Sequence, residues 1–309
     1  MVSLLSCGDG TEESSPPMQL IFWYGLGVGV VDWIGPWQVT PPWLLLQLKS
    51  GYPNPGGLDV IDAVSAGENG VIGLMGWNDE SKSRYAFLRY PTDGRMERIT
   101  GTAAADDSSY TMAMMPGNRG IVFLSVSAGS PSGNAADMSK VRMDITVYDL
   151  AKRQSLRFAC GEATVATQVS LTPDGQTVTF DAADGWIKSV NLSTGDVTKL
   201  LEGHAPAWSP DGKRLAYRQD RSLFVYEAAT KISRRLYIRY PWQRDFITHL
   251  RGTLRWSLDG RYLAVNVWSY SLFPLRPELE ECVVIEVRTG RSSSVGDNAR
   301  CGPWVQKVS

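Results

Sequence analysis

The chain has 309 residues, of which 43% are hydrophobic and 20% charged, and its formal net charge is −1. This length suits one large all-β domain or two ordinary ones, and the balanced charge excludes the strongly basic surface typical of nucleic-acid-binding proteins. Because the chain has only 2 histidines, a histidine-based catalytic centre or metal site would have to use His204 or His249. We expect no nucleic-acid partner and no metal or other cofactor.

Residues 1–17 predict a disordered N-terminal segment. Within it, "LLSCG" at residues 4–8 resembles a bacterial lipobox, in which the cysteine is lipidated after the signal is cleaved. The polar stretch "GDGTEESSPP" that follows matches the tether of such a lipoprotein, so Cys7 is a candidate lipidation site. Because the apolar part is far shorter than a working signal and no basic region precedes it, a disordered terminus with a chance cysteine is the alternative.

The longest uncharged apolar run is "LIFWYGLGVGVV" at residues 20–31. It is about half the roughly 20 residues that a membrane-spanning helix needs, so it predicts β-structure with a glycine bend. Its "GLGVG" resembles part of a dinucleotide-binding fingerprint. Since Gly35 and Pro36 interrupt the chain where the following helix should run, we reject that reading.

A repeated unit then occurs along the chain, and its first part is an extended segment, a tight turn and an alternating strand. Clear copies of this head are "VSLTPDGQTVTFDAADG", "HAPAWSPDGKRLAYRQD" and "LRWSLDGRYLAVNVW", and weaker copies start at Ala63 and Ala113. Asp-Gly suits such turns because both residues tolerate positive φ and the aspartate can bond nearby backbone. We therefore assign Asp174, Asp211 and Asp259 a structural rather than a catalytic role.

The second part of the unit is a strand, a small turn and another strand. Six such tails align at their turns, with a mean spacing of about 48 residues, which indicates four-stranded β-propeller blades. The aligned turn residues are Gly51, Gly94, Arg153, Gly195, Lys231 and Gly290. The C-terminal "ARCGPWVQKVS" resembles the start of a head. The sequence therefore predicts a single domain over residues 18–309: an all-β, six-bladed propeller of four-stranded antiparallel blades, closed by a C-terminal strand that joins the N-terminal blade.

The heads resemble the TolB-type propeller repeats, also called WD40-like or PD40 repeats, which read W-S-P-D-G, then any two residues, then an apolar residue and alanine. "AWSPDGKRLAY" at residues 207–217 fits closely, and "RWSLDGRYLA" fits with leucine in place of proline. The resemblance covers three blades well and three loosely. It implies the fold but not a function, because propellers host many activities.

In the propellers of this family, the first and third turns of each blade lie on one face, and the other connections lie on the opposite face. The long insertions of this chain fall in the second set, at residues 24–43, 125–144, 236–252 and 267–281. Loops presented by a rigid scaffold often carry function. We expect this face to bind a partner, with neutral drift of surface loops as the alternative.

The segment 236–252 concentrates arginine and aromatic residues, which dominate binding hot spots. The alternative is that this loop folds over its neighbours and buries its own aromatics. His204 precedes a predicted innermost strand and is expected to face the mouth of the central channel. The predicted partner-binding residues are Arg239, Tyr240, Trp242, Arg244, His249 and His204.

Besides Cys7, three cysteines remain, so at most one disulfide can form among Cys160, Cys282 and Cys301. No pair has metal-ligand spacing. Cys282 is predicted to begin the third strand of one blade, and Cys301 the first strand of the adjacent blade. A bridge between them is a candidate if the protein is exported to an oxidising compartment.

Together these observations predict a non-catalytic, monomeric binding propeller of the bacterial cell envelope, periplasmic or extracellular, whose contact with the membrane is a lipid anchor at Cys7. Its partner would be a protein or a glycan on the face with the long loops. The alternative is a propeller hydrolase or lyase acting on a carbohydrate or small ester at the channel mouth, with carboxylates and a metal such as Ca²⁺. Two or more carboxylates that converge near His204 or His249 would favour the enzyme. No catalytic residue or metal ligand is assigned.

Overall fold

The computed structural model describes residues 18–23, 27–35, 38–39, 43–47, 60–78, 83–90, 95–99, 109–127, 142–162, 168–182, 184–236, 246–271, 279–297 and 300–306. Within these ranges the regular structure is antiparallel β-sheet, apart from two 3-10 turns at Glu68–Gly70 and Pro116–Asn118. These two turns replace Asp-Gly in the weaker heads, and Asn69 and Asn118 adopt the positive φ there.

The strands follow one another in a regular order. The N-terminal strands are β1 (Met18–Trp23), β2 (Gly27–Gly35), β3 (Gln38–Val39) and β4 (Trp43–Gln47). Blade 1 contains β5 (Val60–Ala66), β6 (Ile72–Asn78), β7 (Ser83–Arg89) and β8 (Met96–Arg98). Blade 2 contains β9 (Ser109–Met114), β10 (Gly120–Ser127), β11 (Arg142–Asp149) and β12 (Gln154–Glu162). Blade 3 contains β13 (Val169–Leu171), β14 (Thr177–Asp181), β15 (Trp186–Asn191) and β16 (Val197–Glu202). Blade 4 contains β17 (His204–Trp208), β18 (Arg214–Gln219), β19 (Ser222–Glu227) and β20 (Ile232–Leu236). Blade 5 contains β21 (Phe246–Trp256), β22 (Tyr262–Ser271), β23 (Leu279–Glu286) and β24 (Ser292–Asp297), and the last strand is β25 (Arg300–Gln306).

The prediction of six four-stranded blades is wrong. The described residues form five four-stranded blades, and the remaining sheet, which we call the closing sheet, has five strands. In the closing sheet, β25 pairs with β1, β1 pairs with β2, and both β3 and β4 pair with β2. The predicted pairing of the C-terminal strand with the N-terminal sheet is observed.

The sixth predicted tail, at Gly51, has no Asp-Gly head before it. The pattern of "WLLLQ" predicts the third strand of a blade, but β4 instead lies along the outer edge of β2. The predicted insertion at residues 24–43 is therefore largely β-strand, since β2 and β3 lie within it. Alternating valines in "GVGVVDWIG" give β2 the strand preference that the inserted-loop reading overlooked.

The innermost strands surround a central channel, because β25, β5, β9, β13, β17 and β21 contact one another in that cyclic order. Apolar side chains alternate along the strands and pack between neighbouring sheets. One such core joins blades 4 and 5 and includes Leu223 and Val225 of blade 4 and Leu254 of blade 5. Another joins blade 5 to the closing sheet and includes Leu20, Tyr262 and Trp304.

The three Asp-Gly turns share one hydrogen-bond pattern. In blade 4, the Ser209 hydroxyl donates to Asp211 Oδ1 at 2.5 Å, the Lys213 amide donates to the same oxygen at 3.1 Å, and the Arg214 amide donates to the Ser209 hydroxyl at 3.0 Å. Gly212 has φ 68°. Thr172 with Asp174, and Ser257 with Asp259, repeat this arrangement in blades 3 and 5. The turn aspartates are thus structural, as predicted.

A disulfide joins Cys282 of β23 to Cys301 of β25. It links the third strand of blade 5 to the innermost strand of the closing sheet, in the strand positions predicted for these two residues. Cys160 is a buried free cysteine, and burial raises the pKa of its thiol to about 12. The thiol is therefore protonated at neutral pH and poorly nucleophilic.

Replacing Trp304 by alanine should destabilise the fold by about 3–5 kcal/mol, because it leaves a cavity between blade 5 and the closing sheet. The indole is 2% exposed and lies 6.4 Å from the Tyr262 ring, centroid to centroid. Urea unfolding measures the change. Leu156→Ala, at a position that is 59% exposed, is the control and should shift stability by less than about 0.5 kcal/mol. Equal stability of both variants would contradict closure through β25.

Removing the disulfide with Cys282→Ala/Cys301→Ala should cost about 3 kcal/mol, because the bridge closes a loop between residues 19 apart in sequence and restricts the unfolded chain. Denaturant unfolding of the oxidised protein and of the double variant measures this loss. A reducing agent should destabilise the wild-type protein and leave the double variant unchanged. Thiol counting on denatured protein from its native compartment should find a reactive thiol at Cys160 and none at Cys282 or Cys301. Three reactive thiols besides Cys7 would refute the bridge.

Candidate functional site

The two faces of the propeller differ in the lengths of their connections. We call the face with the first and third turns of each blade the turn face, and the opposite face the loop face. On the turn face, five residues or fewer separate the paired strands of blades 3, 4 and 5. On the loop face, residues 128–141, 237–245 and 272–278 separate consecutive strands, whereas Gly203 alone separates β16 from β17. Three of the four predicted long segments thus connect strand ends on one face.

The structure describes only part of the predicted partner-binding set. Four of its members lie between β20 and β21, outside the described residues: Arg239, Tyr240, Trp242 and Arg244. Cys7, the candidate lipidation site, also lies outside the described residues. His249 lies in β21, where its backbone is in register with Trp268. The assignment of these residues to a binding surface therefore stays a prediction.

His204 begins β17 on the loop face, and its side chain is 50% exposed. Its Nδ1 lies 3.8 Å from Oδ2 of Asp181, a carboxylate that is 3% exposed. The interaction with the Asp181 side chain is the main influence that raises the pKa of His204, and it outweighs partial desolvation and the charge of Arg218; the charge of Asp220 adds to the rise. At 3.8 Å the two atoms form an ion pair when His204 is protonated, but they are too far apart for a normal hydrogen bond.

A cavity of about 240 Å³ occupies the central channel. It is lined by the innermost strands of all five blades and by Pro116, Pro173 and Pro210 of the first turns, so its mouth lies on the turn face. His204 is not among the described residues that line it. β17 runs from His204 on the loop face toward the turn face, so the expected position of His204 at a mouth of the channel on the loop face stays a prediction.

Gln168 crosses the channel. Its side-chain amide donates to the Leu254 carbonyl at 2.8 Å, and its Oε1 accepts from the Leu254 amide at 2.7 Å. Gln168 is fully buried. Because β17 stands between β13 and β21 in the ring, this two-bond contact spans the channel between strands that are not neighbours. The backbone amide of Gln168 also donates to Asp181 Oδ1, at 3.2 Å.

Arg255 is a residue that the sequence analysis did not single out. It lines the channel beside the Gln168 contact, and its Nε is buried without a hydrogen-bond partner. A sequence signal was available, because Arg255 immediately precedes the head aromatic Trp256. The corresponding positions of the other blades hold small or apolar residues: Val64, Ala113, Ser170 and Ala207. One arginine among these residues is a departure from the repeat.

A second concavity, of about 450 Å³, lies on the turn face between blades 4 and 5. Four arginines and two acidic residues line it: Arg214, Arg234, Arg261, Arg288, Asp259 and Glu286. Several of these groups serve the fold. Asp259 holds its turn, and Arg214 donates to the Gly260 carbonyl at 3.0 Å while its guanidinium lies over the Trp256 ring.

Two solved structures share this architecture over nearly the whole chain. One is the crystal structure of a nidogen/laminin complex, with 8% sequence identity, a TM-score of 0.61, and coverage of 93% of this chain and 97% of that chain. The other is described as a TolB from Agrobacterium tumefaciens, with 11% identity, a TM-score of 0.58, and coverage of 92% and 90%. No family model and no curated protein sequence matches the chain.

These comparisons show that the chain has the β-propeller fold found in TolB, as the head motifs predicted. At such low identity the likeness establishes the fold alone. The described residues include no helix long and apolar enough to cross a membrane. They also include no cluster of three or more His, Cys, Asp or Glu side chains arranged to hold a metal ion.

The contact between His204 and Asp181 predicts a pH-dependent contribution to stability. Because the folded-state pKa of His204 is raised, the contribution is fully present below the ordinary histidine pKa of about 6.5 and is lost as the pH rises through the folded-state value. Asp181→Asn should lower the pKa of His204 toward its ordinary range. NMR titration can follow this directly, with His249→Gln used to assign the second histidine. An unchanged His204 pKa in the Asp181 variant would contradict the pairing.

Proposed function

We propose that this protein is a non-catalytic binding propeller that recognises a protein partner through its loop face. The observation that carries the proposal is the one-sided distribution of connection lengths. Linking consecutive blades needs as little as Gly203, but nine residues separate β20 from β21. Each ordered extra residue costs conformational entropy, which a partner contact can offset.

The composition of residues 237–245 supports a protein partner. Tyr240, Trp242 and Arg244 are residue types enriched in protein-binding hot spots, and arginine can hold a carboxylate with two parallel hydrogen bonds. One structure with the same fold was determined as a complex of nidogen with laminin, so this architecture occurs in a protein–protein assembly. Arg239, His249 and His204 would lie at the rim, and stacking of a glycan on the aromatics is the second form of the same proposal.

An exported location fits this function. The disulfide between Cys282 and Cys301 supports an oxidising compartment, because such bonds persist mainly in secreted and periplasmic proteins. We place the protein in the periplasm or outside the cell, as a monomer held at the membrane by a lipid on Cys7. Mass spectrometry of the N-terminal peptide from a membrane fraction tests the anchor, because a diacylglyceryl mass on Cys7 is expected.

One observation favours the alternative of a propeller hydrolase. His204 has two carboxylates in its electrostatic surroundings, Asp181 and Asp220. However, Asp181 is buried and accepts a hydrogen bond from the backbone amide of Gln168, so it serves the fold rather than presenting a second reactive group. Loss of a measurable hydrolase activity in His204→Gln, with stability unchanged, would favour the enzyme.

Replacing Trp242 and Arg244 together by alanine should weaken partner binding by about 2–4 kcal/mol, on hot-spot magnitudes, and leave the melting temperature unchanged. The measurement is a pull-down from envelope extract, followed by titration of the purified partner. The matched control is Ile232→Ala/Arg288→Ala, two exposed positions of the turn face, which should bind as the wild-type protein does.

Equal binding by the loop variant and the wild-type protein would show that residues 237–245 only connect two blades. A loop variant that unfolds at a lower temperature would instead show that Trp242 belongs to the core, which is the alternative stated from the sequence. Both outcomes would overturn the assignment of this segment.

A further inference from the structure

Arg255 is the one charged side chain among the described residues that line the central channel. Its Nε is closed off from solvent and lacks a hydrogen-bond partner, while part of the side chain remains accessible. Burial lowers the pKa of Arg255 to about 10, so the guanidinium is still charged at neutral pH. A buried cation without an anion is costly, because desolvation of the charge is not offset.

The neighbouring polar groups do not meet this need. Both atoms of the Gln168 amide group are bonded to Leu254, whose own amide and carbonyl are used in the same contact. The other polar side chains lining the cavity are hydroxyls, at Ser65, Ser170, Thr172 and Ser209, and several of them already bond to backbone or to turn aspartates. The cavity therefore contains a cation, hydrogen-bonding hydroxyls and no described acidic side chain.

We propose that the central channel is a binding site for a monoanionic carboxylate held by the Arg255 guanidinium and reached from the turn face. A guanidinium matches a carboxylate geometrically, since its planar fork can donate two parallel hydrogen bonds. No second described cation lines the channel, so one negative charge is matched and the double charge of a phosphate monoester is not.

The walls define the size of the ligand. Met114, Trp208 and Trp256 contribute apolar surface to a cavity of about 240 Å³. This volume admits a short aliphatic acid or a single acidic side chain, but not a drug-sized molecule, which occupies pockets of about 300–1,000 Å³. The carboxylate can come from a free small acid or from the side chain of a peptide, and the two sources share this chemistry. The proposal is independent of the proposed function, because the loop face lies at the other end of the propeller.

The test uses the full chain labelled with ¹⁵N at arginine, in which the Nε–H resonance of Arg255 is identified by its absence in Arg255→Met. Titration with sodium propionate should move this resonance saturably. Propionamide, its neutral isostere, and sodium chloride at matched ionic strength should not. A capped Gly-Glu-Gly peptide forms the second arm: tighter binding of the peptide identifies a side-chain ligand, and tighter binding of propionate identifies a free acid.

The variants separate the charge from the fold. Because substitution of Arg255 removes this resonance, isothermal titration calorimetry compares the affinities of the wild type and the variants. Arg255→Met should weaken binding about tenfold or more, as expected for the loss of a charge-assisted hydrogen bond. Arg255→Lys should retain part of the affinity, and it replaces the methionine variant if the latter does not fold. Arg221→Met, at an exposed position, should bind like wild type. Failure of both probes to saturate, equal shifts with propionamide, or undiminished affinity in Arg255→Met would each overturn the proposal.

Discussion

The stacked first turns on the turn face hold the propeller together. Each Asp-Gly turn is closed by its own hydroxyl and carboxylate, and it packs against the turn of the preceding blade. A side chain at Gly212 would meet Pro173 of blade 3 at 3.3 Å, and Arg214 reaches from blade 4 to the Gly260 carbonyl of blade 5. Because these contacts fix the innermost strands from one side, the loop face can vary in length without loss of the ring.

The parts of the fold that could be predicted from the sequence are those encoded locally. Asp-Gly between an extended segment and an alternating strand specifies the turn, so blades 3, 4 and 5 followed from the heads. The closing sheet is different, because its strands come from both ends of the chain and contain no such turn. Alignment on Gly51 alone placed β4 in the wrong position, whereas the actual partner of β4 is β2. A glycine without its aspartate carries too little information to fix a register.

The candidate sites show the same division between local pattern and tertiary environment. The sequence identified the aromatic and arginine-rich segment before β21, because its composition differs from that of a short connector. It also contained the departure at Arg255, where other blades hold small or apolar residues. What the sequence does not contain is the burial of that arginine. Desolvation depends on the innermost strands of several blades, which are brought together only by closure of the ring.

The Gln168 contact determines what kind of space the channel is. A conduit through the propeller would need an open axis, but this buried amide joins β13 to β21 across it with two hydrogen bonds. Opening the contact would leave buried polar groups unsatisfied, at a cost of about 1–3 kcal/mol for each group. The channel is therefore a pocket that opens toward the turn face beside Arg255, and it is separated from His204 and the long connections of the loop face.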